Sequence, residues 1–198
     1  MPEMPSLAKA AATSAPYRLI ARRVLLPWVL QGEQPVGEGL EIGAGSGAMT
    51  AQLLAAFPGL SMVATDYDTD MVTTARQTLA PFGDRAIAER ADAAALPFED
   101  NRFSLVLSAA MLHHVIAWEK ALAEAVRVLR PGGRLVGYDL LDTAPVRLLH
   151  FGGKHDTKML RRGQIETQLR RLPVTNMHTR PGIGGLVVRF TVGKSRNA

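Results

Sequence analysis

The stretch LEIGAGSGAMT, Leu40 to Thr50, constrains this chain more than any other. Leu40 and Ile42 alternate as the end of a buried strand does, and Thr50, Leu53, Leu54 and Phe57 then recur at helical spacing. Between them Gly43, Gly45 and Gly47 allow a sharp turn and a close ligand approach, because no Cβ stands in the way. A strand, a glycine turn and a helix start present unpaired backbone N–H groups to whatever lies over the turn. The segment predicts a nucleotide-type site at the carboxyl end of a strand.

The following residues repeat the same format. Met62 to Ala64 make a short strand ending at Asp66, and Met71, Ala75 and Leu79 repeat at spacing four, a helix buried on one side. Ile87 to Ala91 is a third strand running into Asp92. Phe103, Leu105, Val106 and Leu107 form a fourth, and Trp118, Leu122, Ala125 and Leu129 line one helix face that stops at Arg130-Pro131-Gly132-Gly133. Arg134 to Leu141 is a fifth strand. Five alternations of strand and helix predict a doubly wound, mostly parallel α/β sheet with helices on both faces.

Flanking this core, the patterns change. Tyr17 to Gln31 reads as a helix kinked or ended at Pro27, and the first 16 residues read as a flexible leader. Val146 to Leu172 reads as one or two basic amphipathic helices ended by Pro173. Val174–Thr179 and Leu186–Val192 read as a terminal antiparallel hairpin. The expected layout is a leader over 1–16 and a single domain over 17–198. Within that domain come an N-terminal helix at 17–31, a ligand-binding core at 36–141, a basic helical segment at 142–173 and a hairpin at 174–193.

A length of 198 residues at 47% hydrophobic content suits one domain with a sizeable core. The absence of cysteine excludes disulfides, thiolate zinc sites and a cysteine nucleophile, and agrees with a reducing cytoplasm. No apolar run reaches the roughly 18 residues of a membrane span, so a cytoplasmic protein is expected. The net charge of +5 is unevenly spread: residues 142–198 carry 11 Lys+Arg against 3 Asp+Glu. Such a tail could steer an anionic substrate or contact acidic lipid or nucleic acid; the plain alternative is a solvated surface.

The glycines alone leave the ligand open, because Gly43 to Ala48 also satisfies a dinucleotide fingerprint. Asp66 lies 19 residues after Gly47, where a carboxylate accepts bonds from both ribose hydroxyls of NAD or of adenosylmethionine. Asp92 could accept from an adenine amine. With Glu41, these carboxylates stand at the ends of successive strands, and an acidic rim suits a cationic cofactor better than a pyrophosphate.

On the pieces LEIGAGSGAMT, ATDYDTDMVTTAR, ADAAALPFEDNRFSLVLSAAMLHHV and ALAEAVRVLRPGGRLVGYDL, in that order, residues 36–141 resemble a class I S-adenosylmethionine-dependent methyltransferase of the compact small-molecule type. The resemblance implies S-adenosylmethionine as cofactor, no metal, and a seven-stranded Rossmann-like sheet whose last strand is antiparallel. It places Glu41, Gly43 and Gly45 at the methionine part, with Gly47 completing the turn, and Asp66 on the ribose. Tyr67 and Met71 would flank the adenine, Asp92 with Ala93 would read its amine, and the Ser108 backbone would lie near the amino group. Ser104 departs from the pattern, since relatives often carry aspartate there.

Methyl transfer from a sulfonium is an in-line displacement that depends on orienting nucleophile and methyl carbon about 3 Å apart in a dry pocket. A general base is needed only when the nucleophile holds a proton of high pKa. His113 and His114 are the catalytic candidates, with His150, Tyr138 and Asp139 behind them; such a histidine pair also commonly serves structural hydrogen bonding. The rival readings are an NAD-linked oxidoreductase, which would need a second domain, and a noncatalytic binding scaffold. Nucleic acid is not expected as a partner, because SAAMLHH replaces the Pro-Pro-aromatic turn of base-amine methyltransferases. The basic segment 154–171 could touch a membrane surface or close over a substrate. The acceptor and the oligomeric state are left open.

Overall fold

In the computed structural model the described residues are 24–150 and 159–196, without the side chains of 148–150. The expected leader 1–16, residues 17–23 of the N-terminal helix, and the His150 side chain lie outside them.

The described elements, in chain order, are α1 (Leu26–Leu30), β1 (Gly37–Ile42), α2 (Ala48–Ala56), β2 (Leu60–Asp66), α3 (Thr69–Leu79), β3 (Ala86–Arg90) and β4 (Phe103–Ala109). After them come α4 (Trp118–Val128), β5 (Leu129–Leu140), α5 (Ala144–His150), α6 (Gln164–Leu169), β6 (Val174–Gly182) and β7 (Val187–Lys194). The seven strands form one sheet in the order β3-β2-β1-β4-β5-β7-β6. Neighbours from β3 to β5 pair in parallel, while β7 runs antiparallel to both β5 and β6. The expected α/β sheet with an antiparallel terminal hairpin is therefore present. No helix among the described residues is long and apolar enough to cross a membrane.

Strand alternation divides the core into two layers. Leu40, Ile42, Val63 and Val106 point to one face, where α4 and α6 cover them with Trp118, Leu122, Ala125, Ile165 and Leu169. Met62, Ala64, Leu105 and Leu107 point to the other, against Val29 of α1, Leu53 and Leu54 of α2, and Ala75 and Leu79 of α3. The run of apolar residues in each central strand is what burial on both faces demands. Asp68 starts α3, its side chain accepting from the N–H groups of Asp70 at 2.9 Å and Met71 at 3.4 Å.

One boundary differs from expectation. The residues Arg130 to Gly133, which look like a helix terminator, lie inside β5. Phe103 pairs with Leu129 but Leu105 with Arg134, so β5 loops out across this bulge. Gly132 takes φ +76°, and a Cβ on Gly133 would stand 2.9 Å from Arg130 O and 3.0 Å from Phe103 O. Proline and glycine signal a backbone irregularity; the pairing partner decides that it is a bulge and not a free loop.

At the middle of β5, a Cβ on Gly137 would lie 2.3 Å from Ser108 O and 2.6 Å from Phe190 Cζ. Gly137→Ala is expected to cost about 1–3 kcal/mol, the range for overpacked cores, as read by urea denaturation. An unchanged midpoint would contradict this tight contact of β4, β5 and β7.

Candidate functional site

The sheet order reverses between β1 and β4, which opens a crevice at the carboxyl ends of the strands. Ile42 pairs with Thr65 on one side and Ser108 on the other, so the ends of β1, β2 and β4 lie level. The glycine turn leaves β1 at this point. Gly43, Gly45 and Gly47 all adopt left-handed φ, +64°, +53° and +74°. Ala44 N donates to Thr65 O at 2.8 Å, and Gly45 N donates to Asp66 Oδ2 at 2.8 Å.

The three glycines answer three different constraints. A Cβ on Gly43 would meet the Met111 side chain at 2.6 Å, so Gly43 is small to admit the loop after β4. One on Gly47 would stand 3.3 Å from Ala75 and Leu79, so Gly47 is small to seat α2 against α3. One on Gly45 would have nothing within 4 Å. Only Gly45 faces the open side of the turn.

Glu41, 1% exposed, sends its carboxyl group to the start of α2, where it accepts from the Thr50 hydroxyl and backbone N–H. Burial, with a lesser contribution from Asp66, pushes it up from its ordinary 4.5 to about 7. Asp66 is half-buried and accepts from Gly45 N and, at 2.9 Å, from Asp68 N. Its pKa is also raised, burial outweighing those bonds and one from Tyr67 N. A carboxylate has about four acceptor sites, so capacity remains beyond these three bonds.

The other expected residues spread along the rim. Tyr67 is half-buried; Arg90 donates to its carbonyl at 3.0 Å and places its guanidinium 4.9 Å from the ring centroid. Met71 is buried, as is Ala93, while Asp92 is exposed and caps Ala94 N at 2.9 Å. Ser108 is buried at the end of β4, and its Oγ has no hydrogen-bond partner among the described residues. The structure thus brings Glu41, the glycines, Asp66 and Ser108 to the crevice, with Asp92 and Ala93 beyond β3.

The histidines sit in the loop after β4. His113, 2% exposed, places Nδ1 2.6 Å from Asp139 Oδ1, and Asp139 also accepts from Leu112 N and Leu140 N, each at 2.7 Å. His114 is half-buried with its ring centroid 4.0 Å from that of His113. Tyr138 packs edge-on against Trp28, 5.7 Å between centroids. One participant escapes sequence reading, and another is only weakly signalled. Met111, which fills the space left by Gly43, carries no local signal. Asp139, ranked below the histidines, is visible only as a lone carboxylate in an apolar strand.

These features suit a nucleoside cofactor bearing a positive charge. Open backbone at Gly45, an unpartnered Ser108 hydroxyl and two carboxyl groups whose pKa values are raised by burial would all gain from such a ligand.

Comparison with known proteins agrees with this geometry. Residues 40–137 match the family described as "Methyltransferase domain". A demethylmenaquinone methyltransferase from Clavibacter sepedonicus is 39% identical over 113 residues, covering 57% of this chain and 44% of that protein. A malonyl-[acyl-carrier protein] O-methyltransferase from Geobacter sulfurreducens is 32% identical over 122 residues, covering 62% and 45%. The chain spans less than half the length of these curated relatives. The solved structure of Haemonchus contortus phosphoethanolamine N-methyltransferase 2 with S-adenosyl-L-methionine superposes with a TM-score of 0.75 at 15% identity, covering 98% of this chain and 60% of that one.

Glu41 links stability to pH. Its folded pKa lies above its unfolded one, so the native state holds the proton more tightly and stability falls as pH rises from about 4.5 to about 7. Glu41→Gln does not titrate and is expected to gain up to about 3 kcal/mol on the wild type between pH 4.5 and 8. Chemical denaturation at both pH values checks this; parallel losses in the two proteins would show that Glu41 ionises normally.

Proposed function

We propose that the chain, whose residues 40–137 match the "Methyltransferase domain" family, is a class I S-adenosylmethionine-dependent methyltransferase and transfers a methyl group from S-adenosylmethionine to a small-molecule acceptor. The observation that carries the proposal is the meeting of open backbone at Gly45 with Asp66 where β1 and β2 end. When bound, the cofactor supplies an electrophilic methyl group on a sulfonium, which leaves as a neutral thioether. Everything else is positioning by this chain's own residues.

In this reading Asp66, already oriented by Gly45 N and Asp68 N, uses its remaining acceptor capacity on the ribose hydroxyls. Tyr67 and Met71 flank the adenine, and Asp92 with Ala93 meets its amine. Gly43, Gly45 and Gly47 keep the turn low under the methionine part, and the buried Glu41 and Ser108 face it from below. Loss of the Glu41 proton when a cation binds above would strengthen the attraction.

The loop Leu112 to His114 then borders the acceptor. Asp139 holds His113 rigidly, so His113 is a positioning residue whose ring backs that of His114. For an acceptor whose nucleophile carries a proton, His114, the less buried of the two, is the assigned base. The carboxyl group of Glu41 beneath the turn disfavours the NAD-linked alternative, because a pyrophosphate over the glycines would meet it. The small-molecule assignment is supported by the demethylmenaquinone and phosphoethanolamine methyltransferases that this chain resembles.

Calorimetry is expected to show adenosylhomocysteine binding, weakened by about 1–3 kcal/mol in Asp66→Ala, the range for an orphaned hydrogen-bonding group. Heat from NADH and none from adenosylhomocysteine would overturn the methyltransferase reading. Once an acceptor with an ionisable nucleophile is found, His114→Asn is expected to lower kcat by about 10²–10⁴-fold and to abolish the acidic limb of its pH profile. Unchanged turnover would leave the histidine pair a structural role.

A further inference from the structure

A second cavity, of about 230 Å³, lies at the same carboxyl rim of the sheet, between α6 and the terminal hairpin. Leu141, Ile165 and Val188 give it an apolar floor, and Arg161, Arg162 and Arg180 also line it. Among the described residues none of the three has a carboxylate partner in a salt bridge. The one acid at the cavity, Glu166, is engaged instead by Arg170 at 2.6 Å and by the Thr179 hydroxyl at 3.3 Å. Lone surface arginines are ordinary, but three around one concave apolar floor with the local acid diverted elsewhere are not.

The hairpin register supplies an independent observation. Arg180 lies directly opposite Arg189 across β6 and β7. Like charges placed opposite each other on a sheet destabilise it. Arg189 cannot relieve the repulsion by swinging away: it donates to Trp28 O at 2.7 Å and lies over the Trp28 ring, 5.1 Å from its centroid. Rules of local stability are broken mainly where function requires it, and an anion held at Arg180, in the cavity that Arg189 does not line, would offset the repulsion. Arginine suits such a role because its planar fork matches carboxylate and phosphate oxygens.

We propose that this cavity is a subsite for an anionic group, a carboxylate or phosphate monoester, carried on an apolar body. Assigning that group to the methyl acceptor rests on the function proposed above; the anion site itself does not. Leu141 directly follows β5, two steps along the sheet from β1, while Val188 in β7 and Pro181 in β6 lie three and four steps away. At about 4.8 Å per strand the cavity stands about 15 Å from the glycine turn. Its volume admits a single ring or short chain with its head group, less than a whole drug-sized ligand. The acceptor would therefore reach from this anchor toward His114 with its reactive atom.

Benzoate, phenyl phosphate and uncharged benzyl alcohol are the probes, titrated into the full chain by NMR at pH 7.5. At least one anion is expected to bind tenfold or more tightly than benzyl alcohol, with affinity falling as salt rises. Arg180→Met and Arg162→Met are each expected to weaken that anion at least fivefold, with adenosylhomocysteine affinity unchanged. The preferred anion identifies the group as carboxylate or phosphate. Equal affinities for charged and uncharged probes, or anion binding untouched by both substitutions, would overturn the site. Adenosylhomocysteine binding without anion binding overturns only the subsite. Anion binding without adenosylhomocysteine binding overturns only the methyltransferase reading.

Discussion

The hydrogen bond from Gly45 N to Asp66 Oδ2 is the contact on which the crevice depends. It ties the turn after β1 to the end of β2, and it works only because the turn is left-handed at all three glycines. The Ala44 N to Thr65 O bond fastens the same turn one residue earlier. Met111 packs into the space that Gly43 leaves, which brings the loop after β4 into the same unit. Three loops from three adjacent strands are thereby held without a disulfide.

Charge is divided along the rim in the opposite sense at its two ends. Glu41 and Asp66 lie over the centre of the sheet, while Arg161, Arg162 and Arg180 lie toward the hairpin edge. Burial dominates at the acidic end, where it raises both carboxyl pKa values. At the basic end the three arginines are exposed. A bound pair of ligands with complementary charges would meet this field in only one orientation, which is how electrostatics contributes selectivity more than raw affinity.

Much of this was readable from residue order, for reasons that can be named. Periodicity reports burial, so the five alternations and the hairpin followed from Leu40, Val63, Val106 and their neighbours. The glycine turn and Asp66 were legible because backbone conformation and strand ends carry local signatures. What resisted reading depends on partners far along the chain. Arg130 to Gly133 announce an irregularity, but only Phe103 and Leu105 on β4 make it a bulge. Nothing near Gly43 indicates Met111, nothing near His113 indicates Asp139, and the opposition of Arg180 and Arg189 exists only once the hairpin register is set.

That last pairing has a consequence for how the protein would evolve under different pressures. In the absence of an anion, Arg180 contributes repulsion against an Arg189 that Trp28 holds in place. A laboratory selection for heat resistance alone would therefore favour its replacement, and the survivors would be sturdier. They would also be blind to the charge of whatever they were meant to recognise. Retention of Arg180 against that drift would record a history of selection on the ligand and not on the fold.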